Sequence, residues 1–439
     1  MTRHDNDHRE AAVQIVRVLS DGGHTAYLAG GCVRDRLLGR VPKDYDIATD
    51  APPDVVRRLF RGSRHVGEAF GVVLVPIRSG SAGQAGRVHH QIEVATFRTE
   101  WGYEDGRRPS HIEFTDAQHD AARRDFTING LFENPLADNE EQRVIDFVQG
   151  RADLQRGMVR AIGDPDQRFA EDFLRMLRAV RFAARFDFQI EARTAAAIRR
   201  HADRLGRISR ERIGQEVQSM LTPGPDARPP VAAALVQSMD LDAVALKEPH
   251  NGCPVPTLEA LPDVADYPTA LAAWVLDRHW PAPPPDSPPD SPPADSTPSQ
   301  VRTVPKRLRA ALCLSNEHQE HLKQVLLLMV RALGWEKMPT AARKRMLAEA
   351  DWPAALVLLR AASPSRNLVR LLERVVEESH PLIGEGVAPA PFVNGDDLIA
   401  MGKKPGPKFT RMLGAVYDEQ LEGRVSSRQD ALDWLERNG

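Results

Sequence analysis

Residues 28–49 constrain the fold of this 439-residue chain more than any other stretch, because a Gly-Gly turn is followed closely by an Asp-x-Asp pair. The apolar run Ala26–Ala29 predicts a buried strand. Gly30 and Gly31 end that strand in a turn without side chains, where backbone N–H groups can approach phosphate oxygens closely. Residues 33–38 then predict one or two helical turns. The stretch therefore predicts a phosphate-binding turn at the end of a strand.

The Asp-x-Asp pair, Asp44 and Asp46, predicts a metal site. Residues i and i+2 of a strand face the same way, so the two carboxylates would share one face. Carboxylates this close repel each other unless a cation lies between them. Magnesium prefers carboxylate oxygens together with substrate phosphates, and two ions about 3.5–4 Å apart can activate a hydroxyl and stabilise a leaving phosphate. Taken alone, Gly-Gly turns and solvated Asp-x-Asp pairs are both common.

The joint motif is far more specific than its pieces. Gly30-Gly31-x-Val-Arg-Asp, then Leu-Leu-Gly, then Asp44-x-Asp46 resembles the first motif of the class II nucleotidyltransferases, which comprise CCA-adding tRNA nucleotidyltransferases and bacterial poly(A) polymerases. The resemblance implies an α+β fold, in which an N-terminal head with a small mixed β-sheet precedes an all-α neck, body and tail. It also implies that Gly30, Gly31 and Arg34 bind the nucleotide triphosphate, and that the two aspartates hold two Mg²⁺ ions.

A second motif, Arg123-Arg124-Asp125 followed by Phe-Thr-Ile-Asn, lies about eighty residues further on. Two arginines beside an aspartate at a predicted helix start supply forked donors for phosphate or ribose. The tract resembles the family's second motif, with Gly130 where Ala or Ser is usual. The resemblance implies that Arg124 and Asp125 bind the nucleotide. An isolated Arg-Arg-Asp is usually a surface salt-bridge cluster, but its position after the first motif favours a functional role.

Residues 165–186 predict one strong helix, in which Asp172 and Arg175 are neighbours because they are three residues apart. The pair resembles the family's nucleotide-selecting motif. An aspartate can accept from the exocyclic amine of cytosine or adenine, and an arginine can donate to the adjacent ring nitrogen, so one pair could read either base without a template. Arg178 and Arg181 would support the phosphates or the pair itself. An isolated Asp-x-x-Arg would be interpreted as an intrahelical ion pair.

Two features between these motifs leave alternatives open. Residues 91–98 predict a strand with Glu93 on the face opposite its apolar residues. Glu93 would be a third metal carboxylate or, equally, a solvent-facing residue on an edge strand. Residues 99–112 predict a polar loop, which resembles the family's flexible loop for switching nucleotide choice or is an ordinary surface loop.

Charge and composition narrow the function classes. The net charge is −3, yet residues 151–215 hold 15 Arg and no Lys against 9 acidic residues. This distribution favours an enzyme that binds RNA in a defined groove over a protein that coats nucleic acid. Three widely spaced cysteines indicate neither a disulfide framework nor a zinc site, which fits the cytoplasm. No apolar run is long enough to cross a membrane, and no signal-peptide core is present.

Four parts are predicted along the chain. They are a catalytic head (1–145), a helical neck with the nucleotide-selecting and RNA-binding helices (146–221), a helical body with a Pro-rich low-complexity linker at 281–303 (222–385), and a helical tail (386–439). The candidate RNA-binding residues of the tail are Lys403, Lys404, Lys408 and Arg411. These basic residues fit a solvated helix–turn–helix equally well.

The predicted function is template-independent addition of CCA to the tRNA 3′ end from CTP and ATP. An A-adding enzyme and a poly(A) polymerase share every catalytic residue named above, and a non-catalytic RNA-binding protein is the alternative of another class. Three features favour CCA addition. Residues 66–73 resemble the Phe-Gly strand entry of CCA-adding enzymes, the Asp105–Pro109 loop is present, and the C-terminus carries no long basic extension.

Overall fold

The computed structural model describes residues 3–65, 71–78, 88–101, 111–224, 226–280 and 297–438. The chain divides into two compact units. The first unit contains Met1–Met220 and Leu235–His250, and the second contains Leu221–Ala234 and Asn251–Gly439. The predicted head, neck, body and tail form a finer division, which stays a prediction. Among the described residues, no helix is both long and apolar enough to cross a bilayer.

All strands found in the described ranges belong to the first unit. They are β1 Ala26–Ala29, β2 Asp46–Thr49, β3 Arg64–His65, β4 Val72–Arg78, β5 Val88–Thr96, β6 Arg98–Trp101, β7 His111–Phe114, β8 Leu131–Glu133, β9 Val144–Asp146, β10 Met158–Val159 and β11 Gln189–Ile190. Seven of them form one sheet in the order β3-β4-β5-β2-β1-β8-β9. β2 and β5 pair in parallel and the other neighbours pair antiparallel, which confirms the predicted mixed sheet.

The helices of the first unit surround this sheet or follow it. They are α1 Arg3–Asp21, α2 Gly31–Leu37, α3 Pro53–Leu59, α4 Ala117–Ala122, α5 Glu140–Arg143, α6 Gly150–Gln155, α7 Pro165–Glu171, α8 Leu174–Phe186, α9 Ala192–His201 and α10 Arg210–Leu221, with 3₁₀ turns at Thr127–Asn129 and Ala202–Arg207. Two further helices, α11 Pro229–Ser238 and α12 Asp242–Leu246, follow α10. β1 lies between β2 and β8, and its buried residues Leu28 and Ala29 place the turn that follows it at the edge of a packed core.

The second unit is built from helices, as the α+β prediction requires. They are α13 Pro256–Glu259, α14 Tyr267–His279, α15 Thr297–Leu312, α16 Asn316–Ala332, α17 Thr340–Leu347, α18 Trp352–Ala362, α19 Val369–Glu385, α20 Gly395–Ala400, α21 Pro407–Leu421 and α22 Arg428–Asn438, with 3₁₀ turns at Trp335–Lys337 and Pro364–Arg366. α14 is buried from Tyr267 to Arg278, so it has no solvent face. A helix covered on all sides is a core element of its unit.

The predicted single helix over 165–186 is wrong, because the structure divides it at Asp172. α7 ends at Glu171, and Asp172 has extended backbone angles of φ −154° and ψ 103°. The Asp172 carboxylate accepts the backbone N–H of Leu174 at 3.0 Å, and this bond satisfies one of the N–H groups that begin α8. A side chain that competes for backbone donors therefore ends one helix and starts the next.

Several predicted element boundaries also change in the head. β2 begins at Asp46, so Asp44 precedes the strand, and the residue between the two aspartates, Tyr45, is buried. Arg123 and Arg124 follow the end of α4 and do not begin a helix. The predicted loop over 99–112 contains most of β6 and the start of β7, which pair with each other. The hairpin turn predicted at 79–86 lies outside the described residues.

Two corrections concern later parts of the chain. The predicted all-α neck contains one short parallel strand pair, in which Met158 faces Gln189 and Val159 faces Ile190. The predicted Pro-rich linker ends earlier than 303, because α15 begins at Thr297. Residues 281–296 lie outside the described part of the chain.

Candidate active site

An open cleft of about 770 Å³ in the first unit collects the predicted residues of the head and neck. Those that line it are Gly30, Gly31, Arg34, Asp44, Asp46, Glu93, Arg124, Asp125, Asp172, Arg175, Arg178 and Arg181. They come from the turn after β1 and from α2, from the start of β2 and the segment just before it, from the middle of β5, from the segment after α4, and from α8 and the residue pair before it. Residues separated by as much as 150 positions in sequence therefore face one space.

The glycine turn is packed against an arginine of the second motif. Gly30 has a φ of +70°, a backbone conformation that other residues rarely adopt. A Cβ atom at Gly30 would lie 2.7 Å from Nη1 of Arg124. The backbone N–H of Gly30 donates to the carbonyl of Leu131 at 2.9 Å, which ties the turn to β8. Glycine is required here by both the backbone angle and the close approach of the guanidinium.

Arg34 is buried, and several contacts hold its guanidinium in one orientation. Its Nε and Nη2 donate to Oδ1 of Asp35 at 2.8 and 2.6 Å, and its Nη1 donates to Oδ1 of Asn129 at 2.5 Å. The guanidinium carbon lies 5.1 and 4.7 Å from the ring centroids of Phe182 and Phe186. Burial lowers the pKa of Arg34 although Asp35 opposes the shift. These contacts fix the orientation of a cation at the wall of the cleft.

Asp125 lies deep in the same wall and joins Arg34 to α8. Its Oδ1 accepts from Nδ2 of Asn129 at 3.0 Å, and its Oδ2 accepts from Nε and Nη2 of Arg178 at 2.9 and 2.7 Å. Burial alone would raise the pKa of Asp125, but the Arg178 guanidinium and the Asn129 hydrogen bond outweigh burial and hold the pKa at about 2. Arg34, Asn129, Asp125 and Arg178 thus form one continuous chain of hydrogen bonds.

A buried carboxylate that the sequence analysis did not single out holds the two arginines of the second motif. Asp120 on α4 is 1% exposed and accepts from Arg123 on Oδ1 and from Arg124 on Oδ2. Burial raises the pKa of Asp120, but the two guanidinium groups outweigh burial and lower it. The guanidinium carbon of Arg124 also lies 4.9 Å from the ring centroid of Phe132. Arg124 is therefore fixed against the glycine turn by a buried charge and an aromatic face.

The carboxylates of Asp46 and Glu93 face the cleft from the adjacent strands β2 and β5, and Asp44 faces it from the segment before β2. β2 pairs with β5 in parallel, and Ile47 lies opposite Val94. The preceding residues of the two strands, Asp46 and Glu93, are therefore next to each other. Burial raises the pKa of Asp46 to about 6, the carboxylates of Glu93 and Asp44 add to the rise, and Arg124 opposes it. Repelling carboxylates are what a hard cation such as Mg²⁺ would neutralise.

These residues fit a divalent cation that is completed by its substrate. In the described ranges, no group of three or more His, Cys, Asp or Glu side chains has the arrangement of a complete metal site. Mg²⁺ usually binds one or two carboxylates and takes its other ligands from water and substrate phosphates. Asp44 and Asp46 would supply the protein ligands, which agrees with that pattern.

The predicted base-reading pair does not form an intrahelical ion pair. Asp172 pairs with Arg212 of α10, whose Nη2 lies 2.6 Å from Oδ2. Arg175 pairs instead with Glu171 and donates to the carbonyl oxygen of Arg168 at 2.8 Å. The i,i+3 argument fails because Asp172 is not helical, yet both side chains line the cleft. Each member of the pair is therefore oriented by a partner of its own.

The sequence analysis predicted a helix in this region but not that α10 supports the wall of the cleft. Glu216 of α10 accepts from Nε of Arg181 at 2.6 Å, and its other oxygen lies 3.9 Å from Nη1 of Arg178. Arg212 and Glu216 are one helical turn apart, so both point to the same side of α10. The available signal was the i,i+4 spacing of opposite charges in an Arg-rich segment. That signal does not reveal which residues of α8 they contact.

The candidate RNA-binding residues of the tail belong to the second unit. Lys403 and Lys404 lie in the turn between α20 and α21, and Lys408 and Arg411 lie in the first two turns of α21. Lys404, Lys408 and Arg411 are exposed and Lys403 is half-buried. Their role stays a prediction.

Comparisons with known proteins agree with the geometry of the cleft. Residues 26–160 match the family described as "Poly A polymerase head domain", and residues 187–226 match the family described as "Probable RNA and SrmB- binding site of polymerase A". The chain is 39% identical over 424 residues to a CCA-adding enzyme of Limosilactobacillus fermentum, a match that covers 96% of this chain and 95% of that protein. It is 30% identical over 434 residues to a CCA-adding enzyme of Levilactobacillus brevis, with 96% of each chain covered.

A solved structure gives the same result. The fold is similar to the crystal structure of the Bacillus stearothermophilus CCA-adding enzyme in complex with CTP, with a TM-score of 0.67, 26% identity, and coverage of 100% of this chain and 98% of that one. Metal-dependent nucleotidyl transfer is the chemistry that this family implies. The chain belongs to the CCA-adding enzyme family of class II nucleotidyltransferases.

Proposed function

We propose that this protein adds C, C and A in turn to the 3′ end of tRNA, using CTP and ATP and no nucleic-acid template. The observation that carries the proposal is that one cleft presents two kinds of group at once. The carboxylates of Asp44 and Asp46 face it from the sheet, and the Asp172 and Arg175 side chains face it from the start of α8. Relatives that match over nearly their whole length are named CCA-adding enzymes, which supports the proposal that this protein uses the same substrates.

The reaction joins a nucleotide to RNA and releases pyrophosphate. The 3′-hydroxyl oxygen of the RNA attacks the α-phosphorus, the bond from that phosphorus to the β-phosphate bridging oxygen breaks, and the hydroxyl proton is lost. Gly30, Gly31 and Arg34 bind the triphosphate, because the turn exposes backbone beside a fixed guanidinium. Arg124 and Asp125 complete this part of the site, and Arg178 and Arg181 support the phosphates or the base-reading pair.

Asp44 and Asp46 would hold two Mg²⁺ ions, and Glu93 is the candidate for a third carboxylate. When bound, the ions would lower the pKa of the attacking hydroxyl and neutralise charge on the leaving pyrophosphate. The fixed position of Asp46 at the start of β2 supports this role, because a strand in the middle of the sheet holds its first carboxylate rigidly.

Asp172 and Arg175 would read the base through its Watson–Crick edge. Cytosine and adenine both present an exocyclic amine next to an acceptor ring nitrogen. Asp172 accepts from the amine and Arg175 donates to the ring nitrogen, whereas uracil and guanine present a carbonyl and an N–H in these places. One protein pair therefore accepts two bases and rejects the other two.

The tRNA would contact the Arg-rich neck at 146–221 and the tail at 386–439, with Lys403, Lys404, Lys408 and Arg411 against the phosphate backbone. The division into head, neck, body and tail belongs to this proposal. So does a cytoplasmic location, which three free cysteines support because thiols stay reduced there.

The deciding experiment uses three tRNAs that end before the first C, after one C and after both, each supplied with CTP or with ATP. The expected result is C addition to the first two, A addition to the third, and a stop at CCA when both nucleotides are present. Long A tracts on tRNA and unrelated RNA alike would instead identify a poly(A) polymerase. Addition of A only after CC would identify an A-adding enzyme. The Asp105–Pro109 loop and residues 66–70, which favour CCA addition, lie outside the described residues, so this test is needed.

A further inference from the structure

The carboxylate of Asp172 is held in place by the guanidinium of Arg212, a residue of α10. Nη1 of Arg212 lies 3.2 Å from Oδ1 of Asp172, and Nη2 of Arg212 lies 2.6 Å from Oδ2. The two side chains are only 18% and 20% exposed, so little water competes for the pair. A two-pronged arginine–carboxylate pair fixes the plane of the carboxylate as well as its position.

The ion pair with Arg212 leaves the Asp172 carboxylate able to accept a further hydrogen bond from one direction. A carboxylate oxygen accepts about two hydrogen bonds. Oδ1 of Asp172 already accepts from Arg212 and from the backbone N–H of Leu174, whereas Oδ2 accepts from Arg212 alone. One acceptor position therefore remains on Oδ2, and Asp172 lines the cleft. A group restricted in this way favours an approaching N–H and repels an approaching carbonyl oxygen.

We infer that Arg212 is a specificity-determining positioning residue, which fixes the Asp172 carboxylate so that it accepts the exocyclic amine of cytosine or adenine and repels the carbonyl of uracil or guanine. The inference rests on the proposed base-reading role of Asp172. Without Arg212, the Asp172 side chain can rotate away from the base, because the backbone N–H of Leu174 is then its remaining partner. Both the attraction to the correct bases and the repulsion of the wrong ones weaken together.

A selectivity role and a merely structural role predict different results. A salt bridge that only joins Asp172 to α10 would, when broken, lower stability and slow the use of all four nucleotides to the same extent. A positioning role changes the ratio between nucleotides. Lysine at position 212 separates the two further, because it keeps the positive charge but loses the planar fork.

The test measures kcat and KM for CTP, ATP, UTP and GTP with Arg212→Ala and Arg212→Lys, alongside melting temperature. The control is Arg58→Ala, since Arg58 pairs with Asp54 at 3.4 Å on the surface of α3 with both side chains at least 70% exposed. We expect Arg212→Ala to reduce the preference for CTP and ATP over UTP and GTP by about tenfold, mainly through KM. Arg212→Lys should keep the melting temperature and shift the preference by a smaller factor, and the control should match the wild type.

The same measurements with Asp172→Ala, alone and combined with Arg212→Ala, separate this inference from the function on which it rests. If Arg212 acts through Asp172, its substitution changes the ratios no further once Asp172 is absent. Unchanged ratios in Asp172→Ala would overturn the base-reading role itself. Altered ratios in Asp172→Ala with wild-type ratios in both Arg212 variants would overturn the inference alone. An equal loss for all four nucleotides in Arg212→Lys would also overturn it, and this variant decides the question if Arg212→Ala does not fold.

Discussion

Arginine–carboxylate clusters occur in both units, and they serve different ends. In the second unit, Arg366 and Asp277 pair at 2.9 Å with side chains 1% and 0% exposed. Arg366 also donates to Thr257, Ser365 and the carbonyl oxygen of Trp280. Asp277 accepts in addition from the backbone N–H groups of residues 257 and 258. This buried cluster is enclosed by protein on every side.

The cleft of the first unit uses the same residue types around an open space of about 770 Å³. The ion pair of Arg34 is buried, with the Arg34 side chain 6% exposed. Six other ion-paired arginine side chains there remain 13–34% exposed, and they are Arg123, Arg124, Arg175, Arg178, Arg181 and Arg212. The carboxylates of Asp44, Asp46 and Glu93 face the same space, and the pKa of Asp46 is raised first by burial and then by repulsion from the other two. A saturated cluster stabilises its own unit, whereas an open cluster with unbalanced charge is suited to a ligand.

Removal of the metal-binding carboxylates should have the largest effect. We expect Asp44→Ala and Asp46→Ala each to reduce nucleotide addition to below a hundredth of the wild-type rate, because metal activation is lost. The folded pKa of Asp46 is above its unfolded value, so its ionised form destabilises the fold above about pH 6. The melting temperature at pH 7.5 should therefore stay the same or rise in Asp46→Ala. Primer extension and thermal unfolding measure the two effects.

The surface carboxylate Asp54, whose Oδ2 lies 3.4 Å from Nη2 of Arg58, provides the matched control. Asp54→Ala should add nucleotides at the wild-type rate. Turnover above a hundredth in a folded double variant of Asp44 and Asp46 would contradict the metal assignment.

Breaking the buried Arg366–Asp277 cluster should lower the stability of the protein and leave CTP binding unchanged. We expect Arg366→Met to cost about 3–5 kcal/mol of unfolding free energy, because the buried Asp277 carboxylate is left uncompensated. The combined Arg366→Met and Asp277→Asn variant should lose less than the sum of the single variants. Urea unfolding followed by tryptophan fluorescence measures the loss, with Trp280 directly beside the guanidinium. Calorimetric CTP binding at low temperature should stay at the wild-type affinity, and a large drop in that affinity would undo the contrast between the clusters.

Base selection should change by an intermediate amount. We expect Arg175→Ala to relax selection against UTP and GTP by roughly 1–3 kcal/mol, because one hydrogen bond to the Watson–Crick edge is lost. Its contacts with Glu171 and with the carbonyl of Arg168 show that the side chain is positioned but not enclosed. Relative kcat/KM for the four nucleotides is the measurement. Wild-type ratios in a folded variant would remove Arg175 from the base-reading site.

A partly exposed histidine between two carboxylates in the second unit should have the smallest effect on stability, and this effect should depend on pH. His321 lies 3.0 Å from Asp266 and 2.6 Å from Asp351. The contact with the Asp266 carboxylate, reinforced by Asp351, outweighs burial and raises the pKa of His321 to about 9. A raised folded pKa stabilises fully below the unfolded value near 6.5, and this contribution is lost as pH rises through 9.

His321→Gln should therefore lower stability by about 1 kcal/mol at pH 6.5, after allowance for solvent screening, and by much less at pH 9.5. Thermal unfolding at both pH values measures the difference. Parallel stability curves for the two proteins across this range would show that His321 does not carry the charge.

The amino-acid sequence was enough to predict the family, the fold class and twelve of the residues that line the cleft. The glycine turn, the Asp-x-Asp pair, the Arg-Arg-Asp tract and the Asp-x-x-Arg pair each stand at short spacings, and short spacings are set by local backbone geometry. β1 appeared exactly where its apolar run lies, because a buried strand needs little more than β-forming apolar residues between turns.

How those residues pair with each other depends on the tertiary structure and could not be predicted from the sequence. Asp172 binds Arg212, Arg178 binds Asp125, and Arg34 reaches Asn129 across 95 positions. The prediction that Asp172 and Arg175 are neighbours on one helix is wrong, because a side-chain hydrogen bond to the backbone of Leu174 ends the helix at Glu171. That bond contributes about 1 kcal/mol, which a periodicity argument does not include. Partners in a charged cluster are chosen by the three-dimensional approach of separate elements, and sequence spacing carries no record of that approach.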